Sequence, residues 1–463
     1  MSGDAKGKLG KHAVVLGSSM AGLLTARVLS DQFEKVTLIE RDELRDDPEP
    51  RKGTPQIQHP HVLLAKGAQI MAELFPGLFE DLVAVGSTPA EMSDAAWFHS
   101  GHWLVRAKTG VIAYSQSRGL LDWKVRQRVR ALPNVEVMDR CEVKGYLTTP
   151  DNTRVTGVQL HRKGEAETTL DGVDLVVDAS GRGSQTPQWL EQLGYPRVPQ
   201  TLIKTDVCYT SRIFHRPKNH QANWLMVAIY AEPPHGKRVG MVFPIEKDRW
   251  LVTLAGYLKD HAPTDDAGFL EYARSLARPD VYDAIKDAEP AGPIVQHKIP
   301  GSQRRHYDQM SRFPEHLVVL GDAVCSLNPL YGQGMTSAAL QVMLLDKCLR
   351  NQPPGSLTGL AQRFRKQVPS VLLLPWMMAM SQDMSHPEVE GARPPGFGFM
   401  SWYTKQIMSL AAHDEDVVRS FANVQHMLKS PATLFSPGIL WRVLTARPPE
   451  GNSAGVSGAS HSS

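Results

Sequence analysis

The sequence predicts an α/β protein: a strand–turn–helix–strand unit opens the chain, an antiparallel sheet is inserted, and helices close it. Three observations carry this expectation. The apolar run His12–Leu16 leads into Gly17-Ser18-Ser19-Met20-Ala21-Gly22, then a helical stripe, then the short run Lys35–Glu40. Four β-type runs separated by polar turns fill Val207–Tyr257. Far downstream, a second buried run, Leu317–Leu320, ends in Gly321-Asp322, and a helix starts near Gly334.

Each element has a local reason. Leu23, Leu24, Ala26, Val28 and Leu29 recur at helical spacing with Arg27 turned outward. Gly119–Leu132 reads as a helix and Val135–Met138 as the strand after it. Arg154–His161 and Glu165–Leu170 look like two arms of a hairpin, and Asp174–Val177 like a short buried strand. Val207–Phe214, Trp224–Tyr230, Val239–Pro244 and Trp250–Tyr257 are the arms of the inserted sheet; Glu246-Lys247-Asp248 is one of its turns. The region after Leu357 is helical, broken by loops such as Pro394-Pro395-Gly396.

Composition excludes several classes. Lys and Arg number 51 against 48 Asp and Glu, a net charge of +3, so there is no basic footprint for nucleic acid. The longest apolar stretch, Val368–Met380, is interrupted by Ser370 and Pro375 and falls short of the ~20 residues a spanning helix needs. No transmembrane segment is expected. The four cysteines, Cys141, Cys208, Cys325 and Cys348, form no CxxC pair, so no metal site is expected. Scattered thiols and a polar N-terminus suggest a cytoplasmic protein.

Two motifs carry chemistry. In a dinucleotide-binding turn, glycines allow the tight exit from the strand and close helix packing, and an anion rests on the helix N-terminus. The pattern is degenerate, because Ser19 stands at the middle glycine position. Glu40, eighteen residues after Gly22, ends the second strand, where an acidic group accepts from a ribose hydroxyl. The candidate residues here are Gly17, Ser19, Met20, Ala21, Gly22, Glu40 and Arg41. The second motif is Gly321-Asp322-Ala323 followed by Asn328-Pro329-Leu330-Tyr331-Gly332-Gln333-Gly334-Met335. Its Asp322 can accept from a polyol, and its helix start presents N–H groups to a partly negative ring edge.

These motifs resemble those of the class A, p-hydroxybenzoate hydroxylase-like FAD monooxygenases. The resemblance covers about His12–Leu349. It implies that Asp322 binds the ribityl chain, that Pro329 lies by the isoalloxazine, and that Gly332, Gln333, Gly334 and Met335 lie against its N1/O2 edge. A family arginine with apolar residues three and seven positions on is matched by Arg118, Leu121 and Val125. His61, in Gln58-His59-Pro60-His61, is a further candidate beside the flavin. Pro55–Leu64, Met71–Leu78, Pro375–Ala379 and Leu440–Leu444 are similar to a bacterial secondary-metabolism subgroup that includes polyether olefin epoxidases.

The resemblance implies an FAD-binding Rossmann-like domain at 1–80, 105–190 and 300–350, and a substrate-binding antiparallel sheet at 81–104 and 191–299. A C-terminal helical region at 351–447 and a disordered tail at 448–463 complete the division. It implies insertion of one oxygen atom from O2, through a flavin C4a-hydroperoxide, into a lipophilic small molecule, by epoxidation or hydroxylation. Tyr209, Trp224, Phe243, Trp376 and Met377 are the candidate substrate contacts, although each is equally at home in a core. In Asp178-Ala179-Ser180-Gly181, Ser180 stands where the family has Asp in an Asp-Gly pair linked to NAD(P)H use. The electron source is therefore NAD(P)H or a partner flavin reductase. A flavin-dependent reductase or desaturase similar to geranylgeranyl reductases stays open, as does a non-catalytic flavoprotein. A halogenase is disfavoured by the lack of a Trp-x-Trp-x-Ile-Pro stretch.

Overall fold

The computed structural model describes residues 7–51 and 53–445, without the side chains of Pro55 and Gln56. The expected tail at 448–463 lies outside the described residues. The architecture is α/β, with a parallel sheet, an inserted mainly antiparallel sheet, and C-terminal helices.

Five parallel strands form the first sheet, in the order Leu317–Val319, Leu175–Asp178, Gly10–Leu16, Phe33–Ile39, Val135–Met138. Val15 sits between Val177 and Leu38 in register. Ala13–Leu16, Leu175–Val177 and Leu317–Val319 read as unbroken apolar runs because both faces are covered. Val14, Val15, Val176, Val177 and Leu38 are fully buried. The helices Met20–Gln32 and Gly334–Arg350 pack against each other. Cys141–Thr148, Val155–Arg162 and Thr168–Leu170 form a separate antiparallel sheet, with the expected hairpin at its end.

The inserted sheet has eight strands: Cys325–Ser326, Val295–Arg305, Gln200–His215, Arg249–Gly256, Arg238–Ile245, Met226–Ile229, Ala95–His99 and His102–Trp103. Its two faces do different work, because alternate side chains point oppositely. Val242, Val252, Leu254 and Trp250 pack under the helices Asp266–Arg274 and Asp280–Ile285. Tyr209, Met241, Phe243 and Ala255 face the other way. Val295–Arg305 was not expected as a strand. Its sequence, VQHKIPGSQRR, is too polar to alternate, yet it pairs with Gln200–His215 along its whole length. It runs across the expected 299/300 boundary. Ile112–Ser115 likewise pairs with Thr88–Glu91, across the expected 104/105 boundary.

Among the described residues, four α-helices follow residue 351: Leu360–Asp383, Phe397–Leu410, Glu415–Gln425 and Pro437–Thr445. Among the described residues, no helix is long and apolar enough to cross a membrane. The four cysteines are buried and unpaired.

Candidate active site

The first glycine turn makes a tight cradle. Gly17 has φ +94°, a conformation that costs glycine nothing. A Cβ on Gly22 would stand 1.7 Å from the Gly17 carbonyl oxygen, so the helix can approach the turn only without a side chain there. Ser19 precedes the helix Met20–Gln32 without a side-chain cap, which leaves first-turn N–H groups for an anion. Met20 offers only its backbone, since its side chain is buried in the core.

Glu40 is buried and held on several sides. It accepts from the Ser18 and Asp42 N–H groups at 2.9 and 3.1 Å and pairs with Arg51 at 3.1 Å. Burial opposes its ionisation, but Arg51 and the two N–H groups outweigh burial and hold the carboxyl below its ordinary value. Three donors leave one of the carboxylate's roughly four acceptor positions for a ribose hydroxyl. Arg51 also donates to the Ser18 carbonyl at 3.0 Å. Sequence reasoning missed this arginine; the expected neighbour, Arg41, is exposed, and its backbone follows Glu40 into a bend.

Asp322 is open to the cleft, with no hydrogen-bond partner among the described residues. Protein crowds it from behind, so burial pushes its carboxyl up while Arg118 and Arg182 pull it down. Arg118 is buried, pairs with Asp122 at 2.8 Å and reaches the Ser19 hydroxyl at 3.4 Å. It thus bridges the two motifs. Arg182, also missed in the sequence, donates to the Gly301 carbonyl at 2.6 Å. His61 Nδ1–H donates to the His59 carbonyl, 2.8 Å away. Burial, then the Arg118 charge, lower its pKa to about 3, so its imidazole is neutral.

Pro329 and Gly332 form one wall of the neighbouring cavity. Gln333 is buried, and its Oε1 and Thr336 Oγ1, both at the start of the helix Gly334–Arg350, have no partner among the described residues. Gly334 is half-buried and Met335 is packed into the core. An anion cradle, a ribose acceptor, an open polyol acceptor between two arginines, and orphan polar atoms at a helix start together fit FAD.

The altered third motif has a local explanation. Asp178 is buried and accepts from the Ser180 N–H at 2.8 Å, and from the hydroxyls of Ser180, Ser184 and Thr186 at 2.5 Å each. Ser180 is spent on this loop.

A cavity of about 820 Å³ lies between the inserted sheet and the loop Pro329–Gly332. Tyr209 and Phe243 line it, as do Trp97, Met226, Tyr230 and Met241. Met241 could have been found from Phe243, two residues on along one strand face. Gln425 and His426 also line it, from the C-terminal helices, where no local signal marks them. Among the described residues, no lysine or arginine lines it. An adjoining chamber of about 390 Å³ shares Met226 and Phe243 and reaches His61.

Three expected substrate contacts lie elsewhere. Trp224 packs on Trp250 and His220 on the helix-covered face of the sheet. The strand begins at Met226, so its alternation does not extend to Trp224. Trp376 is buried in the main core. Met377 is about 100° further round the same helix and is 40% exposed.

Comparison with known proteins agrees with this geometry. Residues 11–353 match the model of the FAD binding domain family, and the chain belongs to that family. It is an FAD-dependent oxidoreductase, in a family with monooxygenase members. Protein Rv3254 of Mycobacterium tuberculosis is 35% identical over 384 residues, covering 81% of this chain and 80% of that protein. Kynurenine 3-monooxygenase of Salinispora arenicola is 27% identical over 350 residues, covering 74% and 73%. Among solved structures, p-nitrophenol 4-monooxygenase PnpA from Pseudomonas putida shares the fold: TM-score 0.63, 15% identity, 92% of this chain and 100% of that one.

Proposed function

We propose that this protein is an FAD-dependent monooxygenase that places one oxygen atom from O2 into a neutral, lipophilic small molecule, by hydroxylation or epoxidation. The observation that carries this is the apolar cavity against the Pro329–Gly332 loop of the cofactor cleft. Its wall, mostly apolar and aromatic with a few polar groups, has the make-up of a small-molecule site. Without lysine or arginine in its wall, a carboxylate ligand would lose hydration and gain no cation. The polar end contributed by Gln425 and His426 suits a neutral hydrogen-bonding group. His426 accepts the Ala65 N–H at 3.1 Å, and burial lowers its pKa to about 4, so it adds no charge at neutral pH. The monooxygenase names among the relatives support oxygen transfer.

Bound FAD, once reduced, supplies the activation of O2. The chain's own residues bind it, orient the ligand and exclude water. Helix-start N–H groups at Gly334 and Met335 provide fixed dipoles for a partly negative ring edge, with no reorganisation on reaction. The electron source is NAD(P)H directly or a separate reductase, and a secondary-metabolite intermediate is the substrate class favoured. Ser180, spent on Asp178, supports the separate reductase.

The test is turnover of a panel of neutral aromatic and alkene substrates under 18O2. Incorporation of one labelled atom per turnover is expected. Turnover under strict anaerobiosis would overturn oxygen transfer and favour a reductase. Rapid bleaching of the purified yellow protein by NADPH alone would remove the need for a partner.

A further inference from the structure

Asp383 closes the helix Leu360–Asp383, beyond the residues 11–353 that match the family. It is fully buried. One carboxylate oxygen, Oδ1, accepts from Asn328 Nδ2 and the Tyr331 hydroxyl, both at 2.7 Å, and from the Tyr257 hydroxyl at 3.5 Å. The other accepts from the Ser302 hydroxyl at 3.3 Å. No lysine or arginine bonds it among the described residues. A buried carboxylate without a cation is costly, and an acceptor-only group suits a point where four donors converge.

The donors come from two places. Ser302 and Tyr257 belong to the inserted sheet, at Val295–Arg305 and just after Arg249–Gly256. Asn328 and Tyr331 belong to the loop that leads into Gly332–Met335. That loop is tied further. Asn328 Oδ1 accepts from the Tyr209 hydroxyl at 2.7 Å and the Leu330 N–H at 3.2 Å, and Ser302 Oγ accepts the Asn328 N–H at 3.0 Å. Tyr209 and Tyr331 line the cavity.

We propose that Asp383 is a positioning residue for the cofactor edge: from the C-terminal helix it holds the loop Asn328–Gly332, and the two cavity tyrosines tied to it, in register for FAD. The proposal rests on the placement of Gly332–Met335 at the flavin edge, not on oxygen transfer. The C-terminal helices then complete the cofactor site that the matched residues begin. Burial raises the Asp383 carboxyl to about 6, as expected for a carboxylate kept for its bonds despite its cost. The groups facing it are Tyr257 and Tyr331, with Tyr209 behind Asn328 and His386 packed on the Tyr257 ring at 4.7 Å.

Full-length D383A and D383N test this. The readings are hydrogen exchange of the FAD-free protein, FAD titration, and the visible spectrum of bound flavin. In D383A, amides of residues 328–336 should exchange faster, the flavin bands should shift, and the Kd for FAD should rise ~10-fold, because several buried donors lose their acceptor. D383N keeps one acceptor oxygen and should restore all three readings to within ~3-fold of wild type. E390A, which removes a surface pair with Lys204, should change none of them. A folded D383A with protected loop amides and unchanged Kd overturns the proposal. Should D383A not fold, the double variant Y331F/S302A removes two donors and is read the same way. Unchanged exchange and Kd in that variant overturn it equally. No substrate enters these measurements, so they decide the role of Asp383 whether or not oxygen transfer is found.

Discussion

At Gly17 and Gly22 the cofactor cleft is shaped by backbone: a positive φ, and a helix packed so closely that a Cβ would strike a carbonyl. Of its charged groups, Glu40 and Arg51 hold each other, Arg118 pairs with Asp122, Arg182 donates to the Gly301 carbonyl, and Asp322 is left open to the cleft. The cavity beside it is shaped mainly by side chains. Its wall comes from the loop at 60–64, seven strands, the loop Pro329–Gly332 and the end of the helix Glu415–Gln425, with Glu91 as its acidic residue. The cleft is a sequence-local device repeated at two strand ends. The cavity is what remains when separate elements meet. Substitutions should therefore act oppositely in the two regions.

The largest effect is expected at Gly22. G22A puts a Cβ 1.7 Å from the Gly17 oxygen, so the helix must shift away from the turn. FAD affinity should fall at least ~100-fold, about 2.7 kcal/mol. G183A, whose Cβ meets nothing within 4 Å, should bind FAD like wild type. Fluorescence titration of FAD reads both, and tight binding by G22A would break the contrast.

The same distinction explains what the sequence made legible. Gly17, Glu40 and the Gly321-Asp322 pair sit at strand ends, and Gly22 in the first helical turn after one, where short spacing along the chain keeps residues together in the fold. Arg51 and Arg182 reach the cleft from loops with no periodicity, so nothing local marks them. In the inserted sheet, Tyr209 and Phe243 were legible because strand alternation sets their side. Trp224 lies off the cavity because the strand starts two residues after it, and Trp376 because a helix with a wide apolar face gives no single direction. Asp383 gave no signal, since its partners lie 52 to 126 positions away.

A second contrast separates cavity wall from covered face. W224A should cost ~3–5 kcal/mol of stability, the usual range for a truncated core tryptophan, and leave ligand affinity intact once the protein is folded. F243A should widen the cavity and shift preference toward bulkier ligands. Thermal melts with apparent KM values check the pair. A shift in ligand preference from W224A at unchanged melting temperature would place Trp224 in the cavity after all.

Arg118 should matter less, because Ser19 is only one of its contacts and Asp322 faces a second arginine. R118A should weaken FAD about 10-fold, ~1.4 kcal/mol, in line with loss of a charge-assisted hydrogen bond. Removing its charge should also raise the His61 pKa from about 3, since Arg118 is one cause of its depression. Affinity and an NMR titration of His61 test the two halves.

The smallest effect is a pH dependence where the two regions meet. The folded Asp383 carboxyl titrates at about 6, above its ordinary value of 3.8. The folded state therefore binds this proton more tightly than the unfolded chain does. Its stability relative to D383N should rise as pH falls from 7 through 6 toward 4, and level off below the unfolded value. Above about 7 the ionised carboxylate carries its full desolvation cost, and D383N should melt at the same temperature or slightly higher. Melting curves of the FAD-free proteins between pH 4.5 and 7.5 give the difference without contribution from the cofactor. A wild-type advantage that grows with rising pH would mean that the carboxylate is stabilised as an anion. The loop would then be held by charge, like the cleft, and not by neutral donors converging on a costly buried acceptor.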